Sequence, residues 1–136
     1  SPPDTLIVPT AMNSDKRETQ TGKDAENCAE DFLITQGLQT LARNVGCRYG
    51  EIDLVMEQGT TVVFVEVRLR THISIQSGAG SVDYRKQQRL IRAATHLIQR
   101  TPALQERPIR FDVIAYNNLH RNRVPYWIQQ AFDASI

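Results

Sequence analysis

The chain has 136 residues, 40% hydrophobic and 23% charged, which is the composition of a globular domain and excludes a disordered or fibrous chain. Its two cysteines, Cys28 and Cys47, form no CxxC or Cys/His cluster, which argues against a zinc ribbon or finger; no apolar run approaches the ~20 residues of a membrane span. The net charge of +1 hides an asymmetry, net −6 over residues 1–67 and net +7 over residues 68–136, so the second half suits an anionic partner and the first a cation.

Residues 1–21, punctuated by Pro2, Pro3 and Pro9, show no sustained period and are expected to form a flexible arm ahead of one domain spanning 22–136. The arm lacks the basic-then-apolar order of a signal peptide, and a soluble, cytoplasmic protein is expected. Ala25, Cys28, Ala29, Phe32 and Leu33 recur at helical spacing and predict a helix from about Lys23 to Gln36, capped by Gly37. A short strand at Thr40–Arg43 and a turn region at Asn44–Tyr49 follow. Glu51–Met56 and Thr61–Arg70 read as strands joined at Gln58-Gly59 into an antiparallel hairpin. The run Val62-Val63-Phe64-Val65 is apolar on both faces, so its strand is central and covered on both sides. Residues 71–81, rich in Gly and Ser, read as a mobile loop. A second helix over about Asp83–Arg100 buries Leu90, Ile91, Ala94, Leu97 and Ile98 and turns Arg85, Arg89, Arg92 and Arg100 outward. Pro102 and Pro108 bracket a loop, Ile109–Tyr116 is a strand, and Tyr126–Gln129 is a candidate last strand. The order α-β-β-β-α-β describes an α/β fold, a mixed sheet with a helix on each side.

Chemistry concentrates on the central hairpin. Alternation puts Glu66 and Arg68 on one face of their strand and Glu51 and Asp53 on one face of the preceding one. The hairpin brings Asp53 and Glu66 together if those faces agree. Two carboxylates within an apolar sheet must be paired, hydrogen-bonded or metal-bound. Hard oxygen ligands suit Mg²⁺ or Mn²⁺, and such an ion polarises a phosphodiester. Glu26, over Ala29 and Leu33 at the edge of the first helix's buried face, is a candidate third carboxylate. Against this stands a plainer account: Glu-x-Arg on a strand is often only an ion pair. The surrounding Val and Phe shift the balance, because unpaired charge on a central strand is hard to explain structurally.

Several segments together resemble a known family: Gly22-x-x-Ala25-Glu26-x-x-Ala29, Arg43-Asn44, Gly50-Glu51-Ile52-Asp53-Leu54, Phe64-Val65-Glu66-Val67-Arg68-x-Arg70, Val82-x-x-x-Lys86, Arg110-Phe111-Asp112-Val113 and Ala131-Phe132. The pattern, over about residues 22–133, is similar to the YraN-like bacterial family of the PD-(D/E)xK nuclease superfamily, near the archaeal Holliday-junction resolvases. The resemblance implies a restriction-endonuclease-like core, Asp53 and Glu66 as metal ligands with the Val67 carbonyl, and Glu26 as the helix carboxylate. Such family motifs usually end in Lys where this chain has Arg68, which stays protonated and cannot act as a base. Lys86, near the stripe of Leu90, Ala93 and Leu97, points toward the sheet and is a candidate replacement cation. Arg70, Arg85, Arg89 and Arg92 would form a basic rim for salt-sensitive DNA binding; otherwise they are a solvated face. His72 and His96 read as surface residues, Asp112 as a structural partner of Arg110 or of a helix terminus, and Tyr126 and Trp127 as sheet packing ahead of stacking on bases.

The sequence therefore supports a Mg²⁺- or Mn²⁺-dependent nuclease-like domain acting on branched or structured DNA. The alternatives are a nucleic-acid-binding module of the same fold without turnover, and a scaffold whose carboxylates only hold the sheet. Resolvases of the superfamily act as dimers, so a homodimer is a candidate state.

Overall fold

The structure, a computed structural model, describes residues 20–69, 82–116 and 125–133. The first helix, α1, runs Gln20–Thr35, taking in two residues assigned from sequence to the arm; residues 1–19 lie outside the described residues. Gly37, at φ +98°, ends it. Leu38 N–H donates to Leu33 O and Gly37 N–H to Ile34 O, both at 3.0 Å, which is a Schellman cap. Leu33 and Leu38, its apolar pair, are both buried.

Strands β1 (Gln39–Cys47), β2 (Gly50–Gln58) and β3 (Thr61–Leu69) form a meander. The expected turn region at Asn44–Tyr49 is mostly strand. Asn44 and Gly46 look like turn residues, but Val45 and Gly46 stay paired with Ile52 and Glu51. The chain reverses at Arg48–Tyr49 instead, where Cys47 pairs with Gly50. The second reversal falls at Gly59–Thr60, one residue later than expected, with Gly59 at φ +65°. Residues 70–81, which include Arg70, His72 and the expected loop, lie outside the described residues.

Helix α2 (Tyr84–Gln99) follows, with Asp83 as N-cap accepting from Lys86 N and Arg100 as C-cap, the bounds predicted from sequence. A short 3₁₀ turn, Pro102–Leu104, forms within the expected loop, its proline pre-set for the first turn. Strands β4 (Ile109–Tyr116) and β5 (Tyr126–Phe132) complete the chain, and β5 is longer than expected.

The five strands lie in the order β1-β2-β3-β4-β5. Only β3 and β4 run parallel, and α2 lies in the connection between them. The result is α/β, a mixed sheet with one helix on each face, as in restriction-endonuclease-like cores. On one face Ala25, Ala29 and Leu33 of α1 cover Leu54, Met56, Val63, Val65 and Ile114. On the other, Leu90, Ile91, Ala94 and Leu97 of α2 cover Ile52, Val55, Val62, Phe64 and Val113. Phe64, Phe111 and Phe132 stack across three strands there, with centroids 5.4 and 4.9 Å apart. Central β3 is apolar toward both faces from Val62 to Val65 because both faces are covered.

Candidate functional site: a carboxylate in a forked sheet

Strands β2 and β3 pair from Gln58–Thr61 to Leu54–Val65, and there their pairing ends. Beyond that rung β2 stays with β1 as far as Gly50, and β3 stays with β4 as far as Leu69. The sheet forks. Asp53 fills the fork: its Oδ2 accepts the backbone N–H of Val67 at 2.9 Å. The β3 amide is thus satisfied by a side chain where a neighbouring strand would have done it. A residue's N–H and C=O leave a strand on the same edge, so the Val67 carbonyl also opens into the fork.

Asp53 does not follow the alternation expected from sequence. Ile52 packs in the α2-side core and Leu54 in the α1-side core, although residues two apart on a regular strand share a face. The strand rotates at Asp53 and turns its side chain between the layers. The expectation that Glu51 and Asp53 simply share a face is therefore replaced by this local break.

Glu66, 6% exposed, lies on the α2 face, and Glu26, 8% exposed, reaches the fork from α1. Asp53's carboxyl is pushed well above the usual carboxylate range by burial first and by Glu66 next, with Glu26 and Glu51 adding to the push and the Val67 N–H opposing it. Three acids thus act on Asp53. Two cations answer them at Glu66 Oε2: Lys86 Nζ at 3.5 Å and Arg68 Nη1 at 3.6 Å. Both side chains remain about a third exposed, so each can also reach a ligand in water. Lys86 faces the sheet as its helical position predicts, and Glu66 and Arg68 share a face as alternation predicts.

Arg43 is a site neighbour to which the sequence reading gave no role. Its guanidinium lies 2.9 Å from Glu30 Oε1 and 3.6 Å from Glu26 Oε1, and Thr40 Oγ1 donates to Glu30 Oε2 at 2.6 Å. Its signal in the sequence was an Arg on an edge strand facing an acidic helix. Arg85, Arg89 and Arg92 are exposed on α2, away from the carboxylates' contacts. His96 meets Tyr49 edge-on at 6.0 Å. Asp112, 1% exposed, accepts from Arg110 and Trp127 and is structural.

Among the described residues no three His, Cys, Asp or Glu side chains converge to hold a metal ion. A two-carboxylate set is nonetheless chemically suited to one. Glu66 Oε1 is buried and has no hydrogen-bond partner among the described residues, so it has acceptor capacity unspent. Asp53, Glu66 and the Val67 carbonyl offer only oxygen, the donor set of a hard divalent ion such as Mg²⁺ or Mn²⁺.

The family model described as "Uncharacterised protein family UPF0102" matches residues 25–116, a stretch that holds Glu26, Asp53, Glu66 and Lys86. The chain belongs to this family. It is the YraN-like family that the sequence motifs resemble. A UPF0102 protein of Methylobacillus flagellatus is 49% identical over 115 residues, covering 85% of this chain and 98% of its own. Relatives from Pseudomonas fluorescens and Alcanivorax borkumensis are each 46% identical, covering 88% and 86% of this chain and 98% and 94% of their own. Among solved structures, Pyrococcus furiosus SfsA in complex with Ca²⁺ is similar at 13% identity with a TM-score of 0.34, over 80% of this chain and 62% of that one; a score this low supports no inference. No helix among the described residues is long and apolar enough to cross a membrane.

Proposed function

We propose that this UPF0102 protein is a Mg²⁺- or Mn²⁺-dependent nuclease-like domain that hydrolyses phosphodiesters in structured or branched DNA. The observation that carries this is the Asp53 carboxylate seated in the fork, beside Glu66 and its two cations. An acid held above its ordinary pKa by desolvation and by other acids is costly to the fold, and such cost is typical of functional groups.

Asp53, Glu66 and the Val67 carbonyl would hold the ion, which supplies Lewis acidity at the phosphate. Lys86 and Arg68 place positive charge at the outer oxygen of Glu66, where an entering phosphate meets both. Arg68 binds a phosphate oxygen pair through its fork and keeps its proton, so it neutralises charge and takes no part as a base. Glu26 assists from the α1 side as a carboxylate able to orient or accept a proton from the attacking water. Arg85, Arg89 and Arg92, with Arg70, contact the backbone of the DNA and give salt-dependent binding.

The test is cleavage of a four-way junction and of linear duplex in Mg²⁺ or Mn²⁺, with Asp53→Ala purified in parallel. Metal-dependent cutting by the wild type alone is expected. Equal cutting by both proteins would trace the activity to a contaminant and sink the proposal. One observation favours a second possibility, a binding module without turnover: Arg68 stands where the resembled motif has Lys. Junction binding that weakens with salt, without metal-dependent cutting, would decide for it. A purely structural scaffold predicts no DNA affinity even at low salt.

A further inference from the structure

Both strands of the β1–β2 ladder change phase at one rung. Arg43 pairs with Leu54, and both belong to the α1 side, where Arg43 reaches Glu30 and Glu26. Val45 pairs with Ile52, and both pack in the α2-side core. On each strand these residues are two apart, so a regular pleat would put them on the same face. Between these paired positions lie Asn44 on β1 and Asp53 on β2. Asn44 has φ +49°, the left-handed region that asparagine tolerates better than other residues with a Cβ.

We propose that Asn44 is the positioning residue of this site: its left-handed backbone rotates the ladder so that Asp53 leaves the pleat and enters the fork. This rests on Asp53 being the central ligand of the proposed site. The anchors on either side fix the rotation. Leu54 and Ile52 are 0% and 1% exposed in opposite cores, and Arg43 is tied to α1 at 2.9 Å. With both flanks held, the residue between them must adopt a conformation outside the strand region, and the surrounding structure maintains it. The downstream effect is the Asp53 Oδ2–Val67 N–H bond, which exists only with Asp53 turned inward.

The bond supplies a readout free of metal and DNA. Hydrogen exchange at the Val67 amide is measured on the full chain for wild type, Asn44→Gly and Asn44→Val. Glycine takes the left-handed region at no steric cost, so Asn44→Gly is expected to keep Val67 protection within about threefold of wild type. Valine strongly disfavours it, so Asn44→Val is expected to lower Val67 protection about tenfold or more while the other β3 amides stay protected. Mn²⁺ line-broadening at Val67 should likewise survive in the glycine variant and fade in the valine variant. If Asn44→Val does not fold, Asn44→Ala replaces it, with the same direction expected. Wild-type protection in Asn44→Val overturns the proposal, and so does equal loss in both variants, which would assign the effect to the side chain. Protection that follows the expected order without Mn²⁺ broadening in any variant upholds the role of Asn44 and removes the metal function of Asp53.

Discussion

Val67 and Asp53 meet backbone to side chain, 2.9 Å apart, at the point where β2 and β3 cease to pair. An open sheet normally leaves main-chain donors to water or to another strand. A carboxylate from the neighbouring strand takes that place and holds the fork at a fixed width. An amide would serve Val67 as well without burying charge among Glu66, Glu26 and Glu51. The choice of an acid is therefore a choice about chemistry at the cost of stability, and that separation can be measured.

Asp53→Asn should stabilise the apo protein. Burial and Glu66 raise the folded-state pKa of Asp53, so the folded state holds this proton more tightly than the unfolded chain does. The contribution of Asp53 to stability is therefore most favourable below the ordinary aspartate value and is lost as pH rises through the folded value. At pH 7 wild type carries that penalty and Asp53→Asn does not. Urea unfolding at pH 7 should show a gain of about 1–2 kcal/mol for the variant, shrinking toward zero at acid pH. A variant less stable than wild type at pH 7 would mean that the charge is compensated in the fold.

Divalent ions should reverse the order. Binding to the native state alone stabilises by mass action, about 1.4 kcal/mol at a concentration ten times Kd. The melting temperature of wild type should climb with Mn²⁺, and Asp53→Asn and Glu66→Gln should show no climb. Lys86→Ala should keep it, because that side chain lies against Glu66 Oε2 and leaves Oε1 open. A climb that persists in Asp53→Asn would place the ion elsewhere.

Lys86 should matter more to turnover than Arg68. The Asp83 cap, whose Oδ1 accepts Lys86 N at 2.8 Å, fixes the first turn of α2 and with it the origin of the Lys86 side chain. Arg68 is the penultimate residue of β3, with no comparable cap at its backbone among the described residues. Lys86→Ala should lower single-turnover junction cleavage about a hundredfold with Mn²⁺ binding retained, and Arg68→Ala should lower it less. Arg68→Lys should at least preserve the rate. Undiminished cleavage by Lys86→Ala would return the cation's role to Arg68.

The sequence made some of this geometry legible and hid the rest. Helix α2 was readable at both ends because Asp83, the apolar stripe and the helix-ending residues all act locally. Glu66, Arg68 and Lys86 were readable by strand and helix periodicity. The fork was not. Ile52-Asp53-Leu54-Val55-Met56 is apolar around Asp53 in either phase, so the pattern cannot reveal a rotation. Where β2 and β3 part depends on which partner each strand keeps, a non-local matter. Asn44 and Gly46 misled for a related reason. Their residue types signal turns, while the pairing of Arg43, Val45 and Gly46 with β2 carries the strand through both positions.

Asp112 offers a control in which a buried acid has a purely structural task. In β4 it stands opposite a bulge, since Phe111 pairs with Phe132 but Val113 pairs with Ile128. Its Oδ1 accepts from Arg110 Nε and from Gln130 N, both at 3.0 Å. Its Oδ2 accepts from Trp127 Nε1 at 2.9 Å and Arg110 Nη2 at 3.1 Å. The carboxylate thus satisfies the amide that the bulge releases, at Gln130 with φ +52°, and fixes Trp127 against Phe32 of α1, 5.9 Å away. Removing it leaves the Trp127 and Gln130 N–H groups without this acceptor and the half-buried Arg110 guanidinium with Gln58 Oε1 in place of its carboxylate. Asp112→Ala should cost about 3–5 kcal/mol, and Asp112→Asn, which restores one oxygen, should cost less. Trp127 is the only tryptophan in the chain, so its fluorescence follows urea unfolding directly. The contrast with Asp53 is the decisive part: both are aspartates of one sheet, half-buried Asp53 on β2 and buried Asp112 on β4 with β3 between them, yet Asp112→Asn should destabilise and Asp53→Asn should stabilise. An acid surrounded by donors holds the fold, whereas an acid surrounded by acids strains it, and opposite signs for the two substitutions would separate the structural carboxylate from the functional one without any assay of activity.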